Sequence, residues 1–205
     1  MEPIKTILDL IECYKKLPGV GIRTAERLAY ATLNLSKEDQ DAFIKAFEEV
    51  ETKVKRCPDC GTYYDDKCPI CSDRSRDKST LLIVKDSKDI LSIEKTKGYK
   101  GEYFTLKGTL SPLRNLSPED IGIPELKARV ERDHVKEIIL ALPTDLEGET
   151  TTLYIASLYK NDPNRHVSKL ANGIPRGTNL EYLDNLTITS SLKGRIQLND
   201  KGENK

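Results

Sequence analysis

The chain has 205 residues, with 33 Lys and Arg balanced by 33 Asp and Glu, so its net charge is zero. That length admits one sizeable domain plus one or two small ones, and no apolar run approaches the ~20 residues of a membrane span. A neutral chain is not a general polyanion binder, so any nucleic-acid surface must come from local clustering of charge.

Residues 4–16 place Ile4, Ile7, Leu8, Ile11 and Tyr14 at helical spacing, and Cys13 falls inside this apolar pattern as an expected core residue. Pro18-Gly19-Val20-Gly21 interrupts that helix, and a second reads from Ile22 to about Leu33 through Ala25, Leu28 and Ala29. Gly19 and Gly21 permit a tight turn with close backbone approach, while Ala25 lets two helices pack closely. The N–H groups opening the second helix then face outward, where the helix dipole favours an anion such as a nucleic-acid phosphate. Lys15, Lys16, Arg23 and Arg27 surround the turn against the single acid Glu26, a local excess of three positive charges. Such contacts hold a backbone without reading bases. This segment resembles the helix-hairpin-helix motif of sequence-independent DNA-binding proteins. Ser36-Lys37-Glu38-Asp39 reads as the capped start of a third helix, with Phe43, Phe47, Val50 and Val54 in one stripe.

Two C-x-x-C pairs follow, Cys57-Pro58-Asp59-Cys60 and Cys68-Pro69-Ile70-Cys71. Two such knuckles joined by a short loop bring four thiolates to ~2.3 Å around one tetrahedral Zn²⁺. A redox dithiol needs only one pair, and a disulfide framework needs an oxidising compartment. The N-terminus lacks the charged-then-apolar pattern of a signal peptide, which points to the cytoplasm. With sulfur at all four positions the ion is expected to be structural, contributing an apparent ~10–16 kcal/mol to folding. Lys55, Arg56, Lys67 and Arg74 are near enough in sequence to offset its net negative charge. Gly61 suits the left-handed backbone such knuckles need, whereas Ser72 makes the second less ideal.

After Asp77 the pattern changes. Leu81–Val84 is a short apolar run, the mark of a strand buried on both faces. A helix over Ser87–Thr96, a strand near Tyr103–Leu106, a turn-rich stretch, a helix over Pro124–Arg132 and a strand at Ile138–Leu142 come next. A helix from about Glu149 to Tyr159 leads to a strand at Val167–Leu170, and a short helix lies near Leu186–Leu192. Strands alternating with helices imply an α/β fold whose mainly parallel sheet binds ligands at its carboxyl ends. Residues 199–205 are polar and expected to fray. Pro143–Thr150 carries Asp145, Glu147 and Glu149, which either hold Mg²⁺ or favour a helix dipole by ~0.3–1 kcal/mol. His134 and His166 are isolated, and Ser111 and Ser190 have no triad partners, so no catalytic residue is assigned. Lys95, Lys97, Lys100 and Lys107 form a basic run with only Glu102 among them.

The ordered set Leu17–Leu28, Cys57–Asp77, Asp89–Glu94, Ser111-Pro112-Leu113, Glu147–Thr150 and Leu180-Glu181-Tyr182 resembles the bacterial RecR recombination proteins over nearly the whole chain. The resemblance implies a helix-hairpin-helix domain at 1–55, a zinc module at 56–77, a Toprim domain at 78–172 and a C-terminal assembly segment at 173–205. It implies a non-catalytic mediator that assembles as a homodimer or homotetramer, ring or clamp, on DNA, and acts with RecO and/or RecF to load RecA on single strands. The acidic loop would then dock a basic partner such as RecO, and the zinc module would join the hairpin to the sheet. Arg176 stands where the family more often has an apolar residue. Lys85 stands where Toprim domains usually carry an acid, and its ammonium is expected to neutralise Asp145, Glu147 or Glu149 in place of a cation. Two rivals remain: a metal-dependent Toprim phosphodiester enzyme and a purely protein-binding zinc adaptor.

Overall fold

The structure is a computed structural model and describes residues 4–196; the expected fraying of 199–205 lies outside them. The chain divides between Lys55 and Arg56 into two compact units.

The first unit is three helices, α1 (Lys5–Lys15), α2 (Ile22–Thr32) and α3 (Lys37–Lys53). Ile11, Ala25 and Ala29 are buried, with Ile7, Leu10, Tyr14 and Val20 packed around them. Two alanines on one face of α2 leave room for α1 to approach, and the Tyr14 hydroxyl meets Thr32 Oγ1 at 2.7 Å. Ser36 caps α3 by accepting from the Asp39 N–H at 3.1 Å. Cys13 is exposed, contrary to the expectation of a core residue. Two residues turn a helix by about 200°, so Cys13 faces away from the buried Ile11. None of the α3 residues is buried, and its apolar stripe is open, with Phe47 72% exposed.

A short strand, β1 (Lys55–Arg56), spans this division, and the first strand wholly within the second unit is β2 (Tyr63–Tyr64), between the two cysteine pairs in sequence. The body of that unit runs β3 (Asp77–Val84), α4 (Ser87–Glu94), β4 (Gly101–Thr105), α5 (Ile123–Arg132), β5 (Glu137–Ala141), α6 (Leu146–Leu158), β6 (His166–Lys169) and α7 (Asn185–Lys193). The sheet order is β4-β3-β5-β6, parallel throughout. Residues alternate across a strand, so β3 serves two cores. Leu81 and Ile83 join Ile138 and Leu140 against Leu126 and Val130 of α5 and Ile155 of α6. Leu82 and Val84 face the other way, onto Ile90 of α4, Tyr103, Cys57, Cys60 and Cys68. The cysteine module thus shares the second face of the sheet with α4. β3 connects outward to β4 and the chain then returns to β5 on its other side, so the switch in strand order falls at the carboxyl ends of β3 and β5. The acidic loop follows β5 there.

Candidate functional site

At the hairpin, Gly19 has φ +79°, a conformation L side chains rarely adopt, and no atom lies within 4 Å of where a Cβ would sit on Gly19 or Gly21. Gly21 is the N-cap of α2, with φ −79° and ψ 171°; no side chain caps the helix and no acid occupies its first turn. The opening N–H groups of α2 therefore have no side-chain acceptor, and the backbone in front of them is open. Lys16, Arg23 and Arg27 are exposed around this turn. Lys15 is exposed as well, and its ammonium pairs with Glu12 at 2.7 Å, an acid one turn back that lowers the positive excess.

The four cysteine sulfurs lie within 4.8 Å of one another, and they form the only group of three or more metal-type ligands among the described residues. Cys57 Sγ is 3.7 Å from Cys71 Sγ, and Cys60 Sγ is 3.4 Å from Cys68 Sγ. Sulfurs bound tetrahedrally at ~2.3 Å stand about 3.8 Å apart, so the set fits one metal ion. Both knuckles close with the same backbone bond, Gly61 N–H to Cys57 O at 3.0 Å and Ser72 N–H to Cys68 O at 3.1 Å. Gly61 has φ +80°, and an added Cβ would come within 2.6 Å of Thr105 Cβ. Ser72 is not among the residues with positive φ, so the second knuckle needs no glycine. Without a cation the thiols cannot all ionise. Hydrogen bonding, first from Cys71 and then from Thr62, pulls the Cys60 thiol down to about 5. Burial pushes Cys68 up to about 11, and the bond to Cys60, with burial, drives Cys71 higher still.

The body grips this cluster in three ways. Thr105 of β4 donates to Cys60 O twice, from its N–H at 3.0 Å and its hydroxyl at 2.8 Å. Arg129 of α5, only 5% exposed, pairs with the equally buried Glu102 and with Asp133. Its Nη1 lies 3.6 Å from Asp59 between the first two cysteines, and Arg132 reaches the same carboxylate at 2.8 Å. Arg76, just past the last cysteine, pairs with Glu94 of α4 at 2.6 Å and donates to Gly101 O at 3.0 Å, while Tyr103 donates to Glu94 at 2.6 Å. Sequence reasoning passed over Asp59, Arg76, Glu102 and Arg129. A buried Arg–Glu pair far apart in sequence leaves no spacing signal.

In the acidic loop each carboxylate has its own partner. Asp145 caps α6, accepting from the Gly148 N–H at 2.7 Å. Glu147 accepts from Thr109 at 3.1 Å and pairs with Arg114. Its carboxyl is held below the ordinary glutamate value by hydrogen bonding, first from Ser111 and then from Thr109, aided by the Arg114 charge. Glu149 pairs with Lys169 of β6 at 3.1 Å. Gly148 is buried, and a Cβ there would stand 2.0 Å from Pro143 O, which is why the loop has glycine between its glutamates. The expected neutralisation by Lys85 does not occur. Lys85 makes no ion pair among the described residues and lines a cavity with Thr105 and Lys107, on the β4 side of β3. The loop follows β5, on the other side of β3.

The family profile described as "RecR, helix-hairpin-helix" matches residues 7–50, and that described as "Toprim domain" matches residues 79–171. The recombination protein RecR of Staphylococcus aureus strain Newman is 41% identical over 198 residues, covering 96% of this chain and 98% of that protein. Those of strains USA300 and COL match to the same extent.

Proposed function

Because the chain belongs to the RecR family of recombination proteins, we propose that it serves recombinational DNA repair by binding and assembly, with no chemical step of its own. The observation that carries this reading is the uncapped start of α2 behind Gly19 and Gly21, ringed by Lys16, Arg23 and Arg27. A phosphate fits there as the missing acceptor, and because the contacts are to backbone the binding is independent of sequence.

In this reading Cys57, Cys60, Cys68 and Cys71 hold one zinc ion. With four sulfur ligands it offers no open position, so its contribution is to folding. Asp145, Glu147 and Glu149 are each engaged in capping or pairing rather than gathered around one point, which favours a docking surface over a phosphoryl-transfer centre. Leu113 and Leu146 flank that surface at 95% and 84% exposure, giving a basic partner such as RecO apolar contacts beside the acids. The mediator acts with RecO and/or RecF to load RecA on single-stranded DNA, as a homodimer or homotetramer in which residues 173–205 join subunits, in the cytoplasm at the nucleoid.

DNA affinity as a function of salt tests the hairpin. Arg23→Ala with Arg27→Ala should flatten the slope of log K against log salt by about 1.4 on single strands, at ~0.7 per lost contact. An unchanged slope in a folded variant refutes DNA gripping by the hairpin and favours the protein-binding adaptor.

A further inference from the structure

Lys85 directly follows β3 and is half-buried, and its ammonium makes no ion pair among the described residues. It lines a cavity of about 210 Å³ together with Arg56, Tyr63 and Lys107. A second cavity of about 220 Å³ adjoins it through Arg56, Thr105 and Lys107. Arg56 also has no ion pair among the described residues and donates only a long 3.4 Å bond, to Gly61 O. Lys107 is paired with Glu125 at 2.5 Å. Of the acids lining the two hollows, Asp86 is committed to the capping box of α4, Asp59 is held by Arg129 and Arg132 and Glu125 by Lys107, so none is paired with Lys85 or Arg56. Tyr63 completes the rim with its side chain largely open, the residue being 59% exposed.

Two cations held without counter-charge call for an anion. Each hollow is smaller than the ~300–1,000 Å³ of a small-molecule site, so the fitting ligand inserts only part of itself. A charged groove beside an open aromatic ring is the arrangement that tracks a phosphate backbone while a base stacks, and stacking on Tyr63 requires a base free of a duplex. We infer that Arg56, Lys85 and Lys107 with Tyr63 form a binding site for single-stranded nucleic acid on the sheet-bearing unit, separate from the hairpin.

The probe is a labelled oligothymidylate titrated over a range of salt. Arg56→Ala with Lys85→Ala should flatten the salt slope by about 1.4, and Lys85→Arg should leave it unchanged. Tyr63→Ala should weaken binding by roughly 5- to 150-fold at fixed salt, the range for one lost stacking contact. In the unaltered protein, the oligothymidylate should protect the Lys85 amine from acetylation. Parent-like binding by folded variants, or equal acetylation with and without the oligonucleotide, overturns the site. The hairpin variants probe different residues, so a hairpin that fails to bind DNA would leave these readouts intact.

Discussion

Arg129→Met should be among the most damaging substitutions in the sheet-bearing unit. Arg129 is 5% exposed and its side chain neutralises Glu102, whose own side chain is 6% exposed. It also pairs with Asp133, 16% exposed. Methionine keeps much of the apolar stem but leaves the Glu102 carboxylate uncompensated away from water, while Asp133 keeps Arg132. Removing one partner of a buried pair costs about 3–5 kcal/mol, because the remaining charge is uncompensated. In a chain of this size 1 kcal/mol corresponds to roughly 2–4 °C, so the thermal midpoint should fall by about 6–20 °C. Arg132 shares Asp59 and Asp133 but is 56% exposed, so Arg132→Ala should cost no more than about 1 kcal/mol. Because the loss is an orphaned charge and not a missing attraction, Arg129→Met combined with Glu102→Met should recover most of it. Denaturant unfolding of the single and double variants measures the coupling directly. If Arg129→Met falls within 1 kcal/mol of the parent, or if the double variant is worse than the single, the charge-burial argument is wrong.

The cysteine cluster predicts one zinc per chain by elemental analysis. Stripping it with a chelator should unfold the second core, seen as lost helical dichroism that zinc restores; a chelated protein of unaltered stability would rule out a folding role. Glu94 supplies a pH signature. Burial alone would raise its carboxyl, but the bonds from Arg76 and Tyr103 outweigh that and hold it below the ordinary 4.5. A depressed folded value stabilises above the unfolded one and is lost as pH falls through it. The parent should therefore lose stability below about pH 4.5 more steeply than Glu94→Gln, and parallel pH profiles would show that the bonds to Glu94 contribute nothing.

Local features were legible from the chain because they are written in short spacing. The C-x-x-C pairs set four sulfurs at one point, Pro18-Gly19-Val20-Gly21 sets a helix turn, and the run Leu81–Val84 marks a strand with two buried faces. Ends of elements were less legible. The helix of the acidic loop starts at Leu146, not near Glu149, because Asp145 supplies a cap that the apolar period does not register. Cys13 was misread because an apolar neighbourhood in sequence is not one face of a helix.

Partnership across the fold is what the sequence by itself left open. It placed Asp145, Glu147, Glu149 and Lys85 at the sheet's carboxyl edge, but only strand order decides which of them meet. With β3 between β4 and β5, Lys85 turns toward Thr105 and Lys107, while Arg114 and Lys169 take the glutamates. Likewise the cysteines announced a metal site, and the tertiary structure made that site one wall of the sheet, tied down by Thr105 and the Arg129 network. Coordination geometry is set within a few residues, whereas charge pairing and burial depend on which distant segments the fold brings into contact.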